Sequence, residues 1–170
     1  MVTMIKVENL SKRYKLSRKA TTSALSDVSF ELGENGFVVI VGKTGCGKST
    51  LLNMIGALDK PSSGSIEYMG KKLDTMSNDD LNSYRRETVA FMFQEYFLLN
   101  NLSVFDNVKL ALEFSGATPE ETDEKVAEAL ENVGLTDCSS RKPGQLSGGE
   151  KQRVAIARAI AKDARILLCD

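Results

Sequence analysis

The sequence predicts an α/β fold, with an antiparallel β part at its start and an inserted α-helical subdomain in its second half. Three observations carry that reading. A short apolar run at 37–41 leads through a glycine-rich turn into apolar residues at helical spacing, namely Leu51, Leu52, Met54, Ile55 and Leu58. Two more short apolar runs, at 89–93 and 165–170, have the length and content of strands. Between them, over 97–149, the pattern becomes helical.

Taken in order, Ile5 and Val7 alternate with Lys6 and Glu8, and Val28, Phe30 and Leu32 alternate in the same way, so both stretches are expected as strands. Residues 17–23 are a polar insertion between them, expected as a loop. Residues 37–41 are expected as a buried parallel strand. Asp59-Lys60-Pro61-Ser62-Ser63-Gly64 is a turn cluster, followed by a short strand over 65–69. Ser77 and Asp80 resemble a capping box that opens a helix reaching Arg86. After the strand at 89–93, Thr118-Pro119-Glu120-Glu121 combines an N-cap, a first-turn proline and an acidic third residue. Val126, Leu130 and Val133 then form an apolar stripe that reads as core, and Gly134 ends the helix. The acidic run from Glu120 to Glu131 reads as the solvated face of that helix. The segment 165–170 is expected as a buried strand ending in the carboxylate of Asp170.

With 170 residues the chain has the size of one domain. A net charge of -1 gives no reason to expect a nucleic-acid partner. No apolar run reaches the roughly 18 residues of a membrane span, and the first ten residues lack a signal-peptide core, so a soluble chain that is not itself exported is expected. Cys46, Cys138 and Cys169 show neither paired nor metal-like spacing, which points to a reducing compartment. The absence of histidine excludes a histidine base.

Gly42-Lys43-Thr44-Gly45-Cys46-Gly47-Lys48-Ser49-Thr50 fits the phosphate-binding pattern G-x-x-x-x-G-K-[ST] in a strand–loop–helix context. Its glycines let backbone N–H groups turn toward phosphate oxygens, and the new helix offers its positive end to the same anion. Lys48 would reach the β- and γ-phosphates and Ser49 would hold Mg²⁺. Cys46 reads as a small filler of the loop. Leu146-Ser147-Gly148-Gly149-Glu150 is the second feature. Ser147 and Glu150 form the capping box of a helix carrying Val154, Ile156, Ala157 and Ile160. Two glycines in its first turn weaken a helix, which makes sense if something approaches the backbone closely there.

With both motifs in order, the sequence resembles the ATP-binding-cassette (ABC) ATPases over essentially its whole length. Leu146 to Glu150, continued by Lys151-Gln152-Arg153, looks like their signature motif, with Glu150 where many members carry Gln. Ile166-Leu167-Leu168-Cys169-Asp170 looks like their Walker B strand, and Gln94 matches the Q-loop. Tyr14 matches the aromatic residue that stacks on adenine. By themselves, Tyr14 also reads as an ordinary strand aromatic and Gln94 says nothing; their place in the motif order assigns them. Gly56-Ala57-Leu58-Asp59 and the stretch 146–160 look most like the lipoprotein-release, macrolide-export and antimicrobial-peptide-export branch.

The resemblance implies a single cassette, with 1–94 and 163–170 as nucleotide-binding core and 95–162 as helical subdomain. It implies an ATPase subunit with ATP and Mg²⁺ as cofactors, in which Lys48, Gln94 and Asp170 serve catalysis and Ser49, Gln94 and Asp170 serve the metal. The signature of one subunit would cap the ATP of a second, as in a homodimer. Integral membrane permease subunits would hold the pair on the cytoplasmic face of the membrane. The family pattern continues past the Walker B aspartate with a general-base glutamate and a switch histidine, so the sequence resembles a cassette cut at Asp170. ATP binding is then expected to survive and efficient hydrolysis to be lost. A later family strand would also be missing from the sheet, leaving a gap or an exposed edge. Non-transport ABC ATPases are the rival reading. Chromosome-maintenance types place a long coiled coil between the two motifs, and no heptads occur here. Translation-associated types carry two cassettes. A nucleotide-binding module without activity is the third reading.

Overall fold

The computed structural model describes residues 3–15, 17, 20–113 and 116–170, which fall into two compact units, Met1–Asn82 and Ser83–Asp170. In the first, β1 (Thr3–Lys15), β2 (Thr21–Gly33), β3 (Ser63–Tyr68) and β4 (Lys71–Lys72) form an antiparallel sheet in the order β2-β1-β3-β4. The central strand β1 carries the core residues Ile5, Val7 and Leu10. Val7 faces Phe30 on one side and Ile66 on the other. Strict alternation would send Leu10 to the opposite face from Val7. A register shift between them, with Asn9 at φ 47°, turns Leu10 inward. The bulge is held by Asn9 Nδ2 donating to Asp27 Oδ1 at 2.8 Å and by Ser29 Oγ accepting from the Asn9 amide at 2.8 Å. The helix α1 (Lys48–Ile55) buries Leu51, Met54 and Ile55 in the same unit. A short helix, α2 (Asn78–Ser83), starts from the expected box: Ser77 Oγ accepts from the Asp80 amide at 3.1 Å.

In the second unit the parallel pair β5 (Val89–Met92) and β6 (Ile166–Cys169) is joined to α3 (Val104–Lys109), α4 (Pro119–Asn132) and α5 (Gly148–Ala161). The helices share one core in which Val104, Val108, Val126 and Val154 are fully enclosed and Leu130 and Leu135 nearly so. The capping boxes at Thr118 and Ser147 are both formed, and Gly134 takes φ 66° behind α4. The acidic side chains of α4 face outward, as its periodicity requires. One polar residue sits in this core. Asn107 is 1% exposed; its Oδ1 accepts from the Leu99 amide at 2.8 Å, and its Nδ2 donates to the carbonyls of Leu99, Leu102 and Ser103. It thereby fixes the loop before α3. Two cations of α5 do the same for β5. Lys162 donates to the carbonyls of Arg85 and Val89 at 2.7 and 2.6 Å, before and at the start of the strand. Arg158 donates to those of Tyr96 and Phe97 at 2.8 and 3.2 Å, beyond its end.

The structure corrects several expectations. Residues 37–41 form no strand, and Phe37 and Val41 are 92% and 84% exposed. A buried parallel strand needs ladder partners, and no described segment pairs with this run. Leu58 lies beyond α1 and is exposed, because the chain turns at Gly56 and at Ala57 with φ 55°. Thr21–Ser23 belong to β2 rather than to a loop, while Arg18 and Lys19 of that expected loop lie outside the described residues. The helix from Ser77 gives way at Tyr84 to a π turn over Tyr84–Thr88. β6 is a strand, but only Leu168 in it is buried.

Asn107→Ala should lower stability by about 2–3 kcal/mol, since it strands a buried amide and up to three carbonyls. The midpoint and slope of urea unfolding measure this, and an unchanged midpoint would mean that water satisfies those groups.

Candidate functional site

The start of α1 is shaped by a glycine. Gly47, the N-cap, takes the left-handed φ 96°, and a Cβ there would collide with the backbone carbonyl of Ala24 and with Leu25. No side chain caps the helix. The amides of its first turn lack intrahelical acceptors by geometry, and the positive end of the helix adds to their pull on an anion. The loop before it closes with the Cys46 amide donating to the Lys43 carbonyl at 3.2 Å. Lys48 folds back over this loop, its Nζ 3.1 Å from the carbonyl oxygens of both Gly42 and Lys43. Uncapped amides, glycine turns and a mobile-stemmed ammonium therefore converge where Gly42 to Thr50 are exposed or half-buried. That set fits a polyphosphate. Thr44, Gly45, Ser49 and Thr50 complete the loop and helix start.

Tyr14 stands near the end of β1, opposite Thr22, and is 38% exposed. Its hydroxyl donates to Asp59 Oδ2 at 2.8 Å, a partner that the sequence alone did not single out.

In the second unit, Gln94 follows β5 and Asp170 follows β6. The two strands are parallel neighbours, with Met92 opposite Cys169, and the Asp170 amide donates to the Met92 carbonyl at 2.9 Å. The topology thus brings Gln94 and Asp170 to one sheet edge, beyond the carboxyl ends of parallel strands, where α/β folds bind ligands. Mg²⁺ takes few protein ligands and the rest from phosphate and water. The carboxylate of Asp170 and the hydroxyl of Ser49 are hard oxygen donors of that kind.

The segment from Leu146 to Glu150 divides by role. Leu146 is buried in the helical core, while Ser147, Gly148 and Gly149 are exposed. Ser147 Oγ accepts from the Glu150 amide at 3.3 Å, and Glu150 Oε2 accepts from the Ser147 amide at 2.7 Å. A Cβ at Gly148 or Gly149 would meet nothing within 4 Å. Packing within the chain therefore does not require either glycine. Ser147's hydroxyl and amide, above all, hold the Glu150 carboxyl below the ordinary glutamate range; burial opposes them, and Cys138 and Arg141 add smaller pulls in the lowering direction.

The ABC transporter family matches residues 25–170. The chain is 38% identical over 167 residues to the macrolide export ATP-binding/permease protein MacB 1/2 of Paracoccus denitrificans, covering 98% of itself and 25% of that protein. It is 43% identical over 167 residues to the methionine import ATP-binding protein MetN of Pasteurella multocida, covering 48% of that protein. It therefore spans from a quarter to about half the length of these curated relatives. Among solved structures, it is similar to the dimeric post-hydrolysis state of the ATP-binding cassette MJ0796 bound to ADP and Pi. The TM-score is 0.91 at 40% identity, with 98% of this chain and 73% of the other covered.

The depressed Glu150 carboxyl sets the sign of a pH effect. Its contribution to stability is present above the ordinary glutamate range and is lost as pH falls through its lower folded value. Glu150→Gln keeps an acceptor without the charge. Wild type should melt above Glu150→Gln at about pH 7, and that margin should shrink as pH falls below the ordinary glutamate range. A margin independent of pH, in thermal melts followed by circular dichroism, would contradict this.

Proposed function

The chain belongs to the ABC transporter family, and we propose that it is the ATP-binding and ATP-hydrolysing part of a membrane ABC transporter. The observation that carries the proposal is the glycine-shaped, uncapped start of α1 with the Lys48 ammonium laid across its loop. Gly42, Lys43, Thr44, Gly45, Cys46, Gly47, Lys48, Ser49 and Thr50 would hold the triphosphate of ATP. Lys48 would exchange its two loop carbonyls for phosphate oxygens, trading neutral acceptors for charged ones. Ser49 and Asp170 would supply oxygen to Mg²⁺, with Gln94 as a third, polar participant. When bound, Mg²⁺ neutralises phosphate charge that otherwise repels the attacking water. Tyr14 would stack on the adenine.

The glycines at the start of α5 support a role outside the chain. They weaken the helix and are not needed for packing, but they leave backbone N–H groups open to a close-lying anion. We assign Ser147, Gly148 and Gly149 to the nucleotide of a second copy in a homodimer. Glu150 caps the helix from within, and Leu146 anchors it in the core. Division into a nucleotide-binding core of 1–94 and 163–170 and a helical subdomain of 95–162 belongs to the same proposal.

Among the described residues, no helix is long and apolar enough to cross a membrane. A place on the cytoplasmic face, held by permease subunits, follows from the proposed function. The text at 56–59 and 146–160 favours export or release, while the named relatives include both an exporter and an importer.

Replacing Lys48 by Ala removes the cation from the phosphate site and should weaken Mg·ATP binding by at least about 10-fold, the scale of a charge-assisted hydrogen bond. Titration calorimetry on both forms decides; equal affinities would exclude this loop as the phosphate site. Gly148→Asp places a negative charge at an anion-facing helix start. It should leave ATP binding to one chain intact and abolish ATP-dependent dimers in sedimentation. A dimer fraction unchanged by the mutation would remove α5 from the interface.

A further inference from the structure

We propose that Asp59 is a positioning residue for base binding, fixing the Tyr14 ring to the turn that closes the phosphate-loop helix. The inference rests on the reading of Tyr14 as the platform for the purine of ATP.

Lys12 and Tyr14 lie two residues apart on β1, and both side chains reach Asp59 although the register shifts after Lys12. Beyond the end of α1, the amides of Leu58 and Asp59 both donate to the Asn53 carbonyl, at 2.8 and 3.3 Å. Asp59 is therefore tied to the helix that carries Lys48 and Ser49. Its carboxylate uses both oxygens. Oδ1 accepts from Lys12 Nζ at 2.6 Å and from the Lys60 amide at 2.7 Å, and Oδ2 accepts from the Tyr14 hydroxyl at 2.8 Å. Lys12 also donates to the Lys60 carbonyl at 2.6 Å. The next residues continue the clamp: the Ser62 amide donates to the Ser11 carbonyl, and Ser62 Oγ accepts from the Arg13 amide. The turn over 59–62 is thus fastened along 11–14.

Two consequences follow for Tyr14. Its hydroxyl is anchored, so the ring loses little further freedom when a base stacks on it. The Lys12 ammonium lies 4.9 Å from the ring centroid, within cation–π range, and takes one face of the ring, which is 38% exposed as a residue; a planar base would take the other face. The Lys12 side chain is only 12% exposed, so its charge is held in place rather than solvated freely. Partial burial works to raise the Asp59 carboxyl. The hydrogen bonds from Lys12, Tyr14 and Lys60, with the Lys12 charge, outweigh it and hold the group below its ordinary range. Asp59 thus stays an ionised double acceptor at neutral pH. A single carboxylate then couples the base platform to the helix whose other end holds the phosphates.

Two probes separate positioning from mere structural support. Mg·ATP needs both ends of the site, while magnesium tripolyphosphate needs only the loop. Calorimetric titration with each, on wild type, Asp59→Ala, Tyr14→Phe and Tyr14→Ala, should show ATP affinity reduced about 3- to 10-fold in the first two variants, a part of what base–aromatic stacking supplies. Tyr14→Ala should lose at least as much, and tripolyphosphate affinity should stay at the wild-type level throughout. If Tyr14→Ala weakens ATP while Asp59→Ala and Tyr14→Phe bind like wild type, the positioning role is overturned and stacking stands. If Tyr14→Ala binds ATP like wild type, the stacking reading itself fails. If tripolyphosphate affinity falls in parallel with ATP, Asp59 serves the fold and not the base. Should Asp59→Ala fail to fold, Tyr14→Phe, which removes only the anchored hydroxyl, decides alone.

Discussion

At Gly47 the backbone takes a left-handed turn and runs so close to the Ala24 carbonyl that no side chain fits between them. Any other residue would suffer backbone strain and a clash with backbone atoms that cannot swing aside. This contact, made against β2, fixes where α1 begins and how its first turn is aimed. It also explains why the helix has no side-chain cap: glycine has none to give. On the proposed function, what a serine or aspartate normally does for a helix start would fall to a bound phosphate. The Lys48 ammonium, resting on the loop carbonyls of Gly42 and Lys43, is already at that start.

The second unit uses a different device. Its glycine-bearing helix start is capped from within, by Ser147 and Glu150, and the helix is fastened at its far end by cations. Arg158 in the last turn of α5 and Lys162 at its C-cap bind carbonyls on either side of β5, and burial pushes both side chains below their ordinary basic range. The helix that begins with Ser147 is therefore coupled to the strand that delivers Gln94. Asn107 locks the loop that follows.

What the sequence made legible is what short-range rules govern. The three boxes at Ser77, Thr118 and Ser147 depend on residues three apart, and all three form as read. The stripe of α4 is core because helical periodicity puts Val126 and Leu130 on one face. Features that depend on distant partners were not legible. Residues 37–41 have the composition of a buried strand, yet composition does not supply a ladder partner, and they remain exposed. Leu10 enters the core only through the bulge at Asn9, whose stabilising partner is 18 residues away. Asp59 was legible only as the start of a turn and Arg158 not at all, because their partners Tyr14 and Tyr96 lie 45 and 62 residues away, respectively. The phosphate-loop motif was legible as a pattern; the structure adds the left-handed turn at Gly47 and the Lys48 ammonium on the carbonyls of Gly42 and Lys43.

We place the phosphate site at the backbone that starts α1. Amide chemical shifts of the chain, followed by NMR during titration with Mg·ATP, test it most directly. Saturable shifts should concentrate on the amides from Gly45 to Thr50 and be matched by the Lys48 side chain. Shifts that spare this segment, or that spread evenly over the chain without saturating, would contradict it.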